Sequence, residues 1–335
     1  MFNVVFYVVV ILLINSCGTA VPTESSLKVN NDNEISHRVA LENSTVFVGV
    51  NAAESCTGSI IQLIQLAPTE TGDKVYEAKI LTAAHCFDQA ITTGQREAPF
   101  IRLGSNIFNV RRIDFHPNYA IGQKGRNNDL AILTLNIVDD GSFGRLSALP
   151  ISSKPAKVGD TIFFIGYGFI YDEEIKDMIT TDYIRKNRTI TARHGRSFVV
   201  SVPEDYEVFI SFAPLFHKDN YKMLKSKELQ EAAKKIERLP SSTLFEGDSG
   251  ASATALYMKD GGVVQRRIVG VTSAVNVFTP TKLSLKDNEP KKDIAVSIWQ
   301  ENILKLGVST NIFINIATKE NLDFIRKYAP NAVIL

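Results

Sequence analysis

From Val39 onward the chain is a succession of short β-branched and aromatic runs separated by turn formers, and this spacing narrows its fold more than any other feature. Val46 to Val50, Ser59 to Leu66, Lys79 to Thr82, Phe100 to Leu103, Ile107 to Phe115 and Ala131 to Leu135 read as strands. A second series follows at Thr161 to Ile165, Tyr183 to Ile190, Ser197 to Val202, Glu207 to Ser211, Ala253 to Tyr257, Val263 to Ser273 and Asn311 to Ile316. Loops rather than long helices lie between them, which predicts an all-β barrel or sandwich. The two series part at Leu149 to Asp160, a connector with Pro, Ser and Gly, so two β-domains are expected, 39–150 and 151–316. Helical patterns are few. Leu224 to Leu239 puts Leu229, Ala232, Ala233 and Ile236 on one face, as an insertion that either covers a cleft or packs on a barrel surface. Thr318 to Tyr328 predicts a terminal helix capped by Thr318, with Leu322, Ile325 and Tyr328 inward and Pro330 beyond it.

The 335 residues are enough for such cores, and a formal net charge of +1 with scattered basic residues implies no nucleic-acid partner. Val4 to Ile14 is an uncharged apolar run, shorter than the about 20 residues of a membrane span and of signal-peptide length. It leads into Leu13-Ile14-Asn15-Ser16-Cys17, which resembles a bacterial lipoprotein signal with Cys17 as the lipidated residue; the alternative is plain secretion with cleavage after Ala20. Residues 1–20 are therefore read as an export signal. Residues 21–38, polar and without apolar periodicity, are read as a tether or propeptide. Export leaves Cys56 and Cys86 in an environment where disulfides persist, so they are expected to pair rather than stand as separate thiols.

Three segments carry chemistry. Phe245-Glu246-Gly247-Asp248-Ser249-Gly250-Ala251 sets a serine between glycines that let the backbone turn tightly. Alone it is an ordinary turn. Leu81-Thr82-Ala83-Ala84-His85-Cys86 adds a base, and Asn127-Asn128-Asp129-Leu130-Ala131-Ile132-Leu133 adds a carboxylate to orient it. A serine hydroxyl becomes a nucleophile when such a base takes its proton.

With these residues, and with Cys56-Thr57-Gly58-Ser59, His116-Pro117-Asn118-Tyr119, Gly166-Tyr167-Gly168 and Val271-Thr272-Ser273, the chain resembles the trypsin/chymotrypsin family of serine proteases over most of 39–328. The order His, Asp, Ser differs from Asp, His, Ser in subtilisins and Ser, Asp/Glu, His in α/β-hydrolases. The resemblance implies two antiparallel β-barrels of the chymotrypsin type, with the C-terminal helix and the helical insertion added. It implies Ser249 as nucleophile, His85 as base, Asp129 as its orienting group, and the N–H groups of Gly247 and Ser249 as oxyanion hole. Ser273 would support Asp129 and the substrate backbone. Asp248 would pair with a new amino terminus at Val39 if the chain is cut after Arg38; the other reading of Arg38 is a plain proteolysis target. The remaining histidines, His37, His116, His194 and His217, are read as surface or hydrogen-bonded structural residues.

Departures from the family bear on specificity. Thr243, six positions before Ser249, stands where tryptic enzymes carry an acid. Phe245 replaces a bracing cysteine, Ala251 and Ser252 replace Gly-Pro, and Ala274 and Val275 stand where Trp and Gly are common. A pocket of Thr243, Leu244 and Val275 suggests a small or medium apolar side chain. The expectation is an exported, monomeric serine endopeptidase acting on proteins or peptides, with no metal or cofactor, touching a membrane only through a lipid on Cys17. Its rivals are a catalytically silent binding protein at the cell surface and a serine esterase.

Overall fold

The computed structural model describes residues 39–50, 55–88, 92, 99–104, 106–122, 128–139, 141, 146–157, 160–168, 192–202, 208–214, 247–258, 264–278 and 308–335. It contains two antiparallel sheets curled into barrels. The first holds β1 (Thr45–Gly49), β2 (Ser55–Gln65), β3 (Lys74–Thr82), β4 (Phe100–Leu103), β5 (Asn106–Asn109), β6 (Arg112–Phe115) and β7 (Ala131–Asp139), in the order β5-β4-β1-β2-β3-β7-β6. The second is a closed barrel of β8 (Thr161–Gly166), β9 (Arg193–Ser201), β10 (Val208–Pro214), β11 (Ser252–Met258), β12 (Val264–Phe278) and β13 (Val308–Asn315), in the order β10-β13-β12-β11-β8-β9. This is the double barrel of chymotrypsin type that the sequence implies.

One expected strand is two. The run Ile107 to Phe115 breaks at Val110 and Arg111, whose N–H groups go to the Pro99 carbonyl just before β4 and the Thr134 carbonyl of β7. The half before the break pairs with β4 and the half after it pairs with β7. This turn of chain thus joins β5 and β6, the two edge strands of the sheet.

Other strands begin earlier than apolar runs suggest, because glycine in them serves close packing instead of a turn. In β2, a Cβ on Gly58 would lie 2.6 Å from Ile80 Cγ2 across the ladder. In β9, a Cβ on Gly195 would meet the Phe164 ring at 1.9 Å. The glycine reads locally as a strand end, but the neighbouring strand needs its missing side chain.

The connector at 146–157 is no loose linker. Ile151 is fully buried and makes parallel bridges to Ile268 and Ile334. The Leu149 N–H reaches the Ile60 carbonyl of the first barrel, while Ile268 in the second donates to Pro150. The chain's end closes the same seam. Helix α1 (Lys319–Tyr328) is capped by the Thr318 hydroxyl, which accepts from Asn321 N–H. Its buried face includes Leu322 and Ile325, as the periodicity predicts, and also Phe324, which packs edge-on against His116 at 5.0 Å. Beyond it, Asn331 N–H bonds to Gln62 of β2. The expected strand Tyr183 to Ile190 and the helix Leu224 to Leu239 lie outside the described residues.

Candidate active site

His85 sits on a 3₁₀ turn, Ala84–Phe87, that leaves the end of β3. Ala83 and Ala84 are fully buried, and only side chains that small let the turn lie flat on the barrel. The Cys56–Cys86 disulfide fixes this turn to the start of β2, with 6.3 Å between the Cα atoms. Beyond the histidine, Asp88 accepts from the Tyr119 hydroxyl at 2.7 Å and Gly122 N–H at 3.0 Å, tying the turn to the 116–122 loop. Burial and that bond hold the Tyr119 phenol well above its usual pKa.

Asp129 precedes β7 and is fully buried. Asn128 before it has φ of 67°, a left-handed conformation that asparagine tolerates better than most residues. This kink aims the Asp129 carboxylate at the histidine. One oxygen accepts His85 N–H at 2.8 Å and the other lies 2.7 Å from His85 Nδ1. The Ser273 hydroxyl donates to that second oxygen. A carboxylate only accepts, so Nδ1 carries the proton and Nε2 presents its lone pair on the far side of the ring. There it meets Ser249 Oγ at 2.9 Å. Three residues from separate segments are joined by one imidazole.

The serine's loop is shaped by two glycines in left-handed backbone, Gly247 at φ 92° and Gly250 at φ 83°. At Gly250 a Cβ would lie 2.1 Å from Thr82 Oγ1 and 2.2 Å from the Thr57 carbonyl oxygen, so no larger residue fits. Thr57 grips the loop from the first barrel. Its N–H donates to the Ser249 carbonyl at 2.8 Å, and its hydroxyl donates to the Gly247 carbonyl at 3.0 Å. That hydroxyl also accepts Tyr167 N–H at 3.0 Å from the second barrel. Among the described residues, the N–H groups of Gly247 and Ser249 have no protein hydrogen-bond partner.

The remaining expectations divide. Asp248 is buried, and in this uncut chain its carboxylate bonds to Gly168 N–H at 2.6 Å and to Arg193 at 2.8 Å; a new amino terminus at Val39 was the partner implied only if the chain is cut after Arg38. Val39 itself is 45% exposed at the start of a helical turn over 39–42. Ser273 is fully buried against Asp129. Val275, two residues along β12 from Ser273, pairs with Asn311 of β13. Thr243, Leu244, Phe245, Cys17 and Arg38 lie outside the described residues, as do His37 and His217. His116 is buried, which lowers its pKa against a raising influence from Glu320, and His194 Nε2 lies 2.6 Å from a Glu42 carboxylate oxygen. No cluster among the described residues could hold a metal ion.

Sequence reasoning missed Thr57 and Arg193. Thr57 stood in a segment quoted for its cysteine, and nothing in the pattern marks a hydroxyl that serves both barrels. Arg193 preceded the expected strand start at Ser197 and read as loop; only the pairing of β8 with β9, Gly166 against Arg193, brings it to Asp248.

A double β-barrel with a serine, a histidine and a buried aspartate in hydrogen-bonded sequence defines the chymotrypsin-like class. The trypsin family model matches residues 31–199, half of the chain, and this protein belongs to that family. The matched stretch holds His85 and Asp129; the Ser249 loop lies beyond it. Among solved structures the chain is similar to neuropsin, a serine protease expressed in the limbic system of mouse brain. Identity is 13% and the TM-score 0.46, over 86% of this chain and 95% of that one, a likeness too distant to bear on the site. No curated protein matches the chain in sequence.

Proposed function

We propose that this protein is an exported serine endopeptidase in which Ser249, His85 and Asp129 form the catalytic triad. The observation that carries the reading is the imidazole of His85, 2.9 Å from Ser249 Oγ on one side and 2.7 Å from Asp129 on the other. Ser249 Oγ attacks the scissile carbonyl carbon while His85 Nε2 takes the hydroxyl proton. The carbonyl π electrons move onto oxygen, which the N–H groups of Gly247 and Ser249 receive, at about 3 kcal/mol per donor. Collapse breaks the C–N bond, and the imidazolium returns its proton to the leaving amine. Water then repeats the sequence on the acyl-serine, releasing the acid and restoring the hydroxyl. Asp129 stabilises the imidazolium and keeps its ring in the working tautomer, and Ser273 holds Asp129. No cofactor enters any step.

Protein or peptide substrates follow from the family, and the absence of an acid at Thr243 argues against a tryptic preference. Thr243 and Val275 are proposed as walls of the specificity pocket. Export is supported by the Cys56–Cys86 bridge, since disulfides persist outside reducing compartments. Attachment through a lipid on Cys17 is part of the proposal, and the mass of the mature chain tests it.

A serine-directed phosphonate tests the activity. The mature protein is expected to take one adduct, and Ser249→Ala to take none. A folded wild-type protein that stays unlabelled would support the silent binding protein instead.

A further inference from the structure

The residue before the nucleophile decides which way the loop's N–H groups face, because Asp248 stands between Gly247 and Ser249. Its carboxylate is almost wholly buried, with side-chain exposure of 3%. An unpaired carboxylate there would be costly, and a cation must meet it. That cation is Arg193. Its Nη2 donates to Asp248 Oδ2 at 2.8 Å, and its Nε donates to the Gly168 carbonyl at 3.0 Å. Gly168 N–H in turn donates to Asp248 Oδ1 at 2.6 Å. The planar guanidinium thus ties two segments of the second barrel to the serine loop, which a point charge could not do as well.

The site is closed around this pair. A Cβ on Gly166 would fall 1.9 Å from Asp248 Oδ1, and one on Gly168 would fall 2.6 Å from it. The segment that would otherwise supply a new amino terminus is committed elsewhere. Asn43 N–H bonds to the Val39 carbonyl, Leu41 is buried, and Glu42 pairs with His194. The Ser44 and Thr45 hydroxyls bond back to Ala40 and Leu41. For the amino group of Val39 to reach Asp248, this turn would have to unwind and Arg193 would have to leave.

We propose that Arg193 is the positioning residue of the nucleophile loop, so that the enzyme is competent without cleavage after Arg38. The inference rests on Ser249 being the nucleophile. Arg193 touches no reacting atom; it acts through Asp248 on the two N–H donors that meet the developing oxyanion.

The test uses the purified chain, a serine-directed phosphonate and a peptide substrate. An Arg38→Gln chain, shown by mass to retain the residues before Val39, is expected to label as fast as wild type. Arg193→Met is expected to lose about a hundred- to thousandfold in kcat with KM little changed, the scale of lost oxyanion donors, and Arg193→Lys to recover part of it. Should Arg193→Met fail to fold, the double variant Arg193→Met/Asp248→Asn leaves no unpaired buried charge and is expected to show the same kcat loss. Labelling of wild type only after the Arg38–Val39 bond is cut, with Arg38→Gln silent, would overturn the proposal while leaving the peptidase reading intact. So would wild-type kcat in either Arg193→Met variant. No labelling of wild type, cut or uncut, would sink the peptidase reading and this inference with it.

Discussion

The two halves of the site are held in place by different forces. The histidine turn is bonded covalently to β2 through Cys56–Cys86, rests on fully buried alanines, and donates two hydrogen bonds to one buried carboxylate. The serine loop has no such staple among the described residues. Thr57, the Arg193–Asp248 pair and two left-handed glycines shape it instead. The first half is a rigid base. The second is a polar network in which each member satisfies another, and losing one leaves a buried partner unmet. The lesson is that the two halves fail differently: one through stability, the other through geometry.

The comparison can be broken first at the junction of the halves. Asp129→Asn keeps the shape of the side chain but reverses the ring's proton placement, and kcat is expected to fall by about 10⁴-fold with folding intact, read in steady-state kinetics. Next, Gly250→Ala strikes the serine loop where a Cβ has no space, against Thr82 Oγ1 and the Thr57 carbonyl. A destabilisation of about 4 kcal/mol or more is expected in denaturant unfolding, because the Thr57 carbonyl and Ala83 nitrogen are backbone and cannot move aside even if Thr82 does. Removing both cysteines, as Cys56→Ala/Cys86→Ala, should cost about 3 kcal/mol in the same unfolding measurement. Chains that remain folded should keep kcat within severalfold, since Asp129 still holds His85. Thr57→Val is expected to do the reverse: about 2 kcal/mol of transition-state stabilisation lost in kcat, with a smaller change in unfolding.

The smallest effect lies in the hold on the C-terminal helix. Burial lowers the His116 pKa, so its neutral form favours the folded state. This contribution is fully present above about pH 6.5, the unfolded value, and is lost as pH falls below it. His116→Phe should therefore lose less stability than wild type between pH 7 and pH 5, measured as the difference in unfolding free energy.

Much of this arrangement was legible because local chemistry and global fold agree there. The histidine, aspartate and serine segments each need particular neighbours: small residues under a turn, an asparagine able to go left-handed, glycines in tight backbone. Those needs leave marks in the sequence. Strand boundaries at Gly58 and Gly195 left misleading ones, since a glycine placed for packing against Ile80 or Phe164 looks the same as one placed for a turn. The split of Ile107 to Phe115 was hidden because apolar residues stand on both sides of Arg111–Arg112, and only the pairing of β5 with β4 and β6 with β7 shows the corner. Arg193 was out of reach for another reason. Its partner is 55 residues away, and no local pattern marks a long-range ion pair.

The most direct test of the account is the pre-steady-state hydrolysis of an activated ester substrate by the mature protein. A bridged alcohol should release one equivalent of the alcohol leaving group per enzyme in a rapid burst, and quenched protein should carry the acyl mass on the peptide that contains Ser249. Steady hydrolysis without a burst, and with no acyl mass on Ser249 at any quench time, would contradict it.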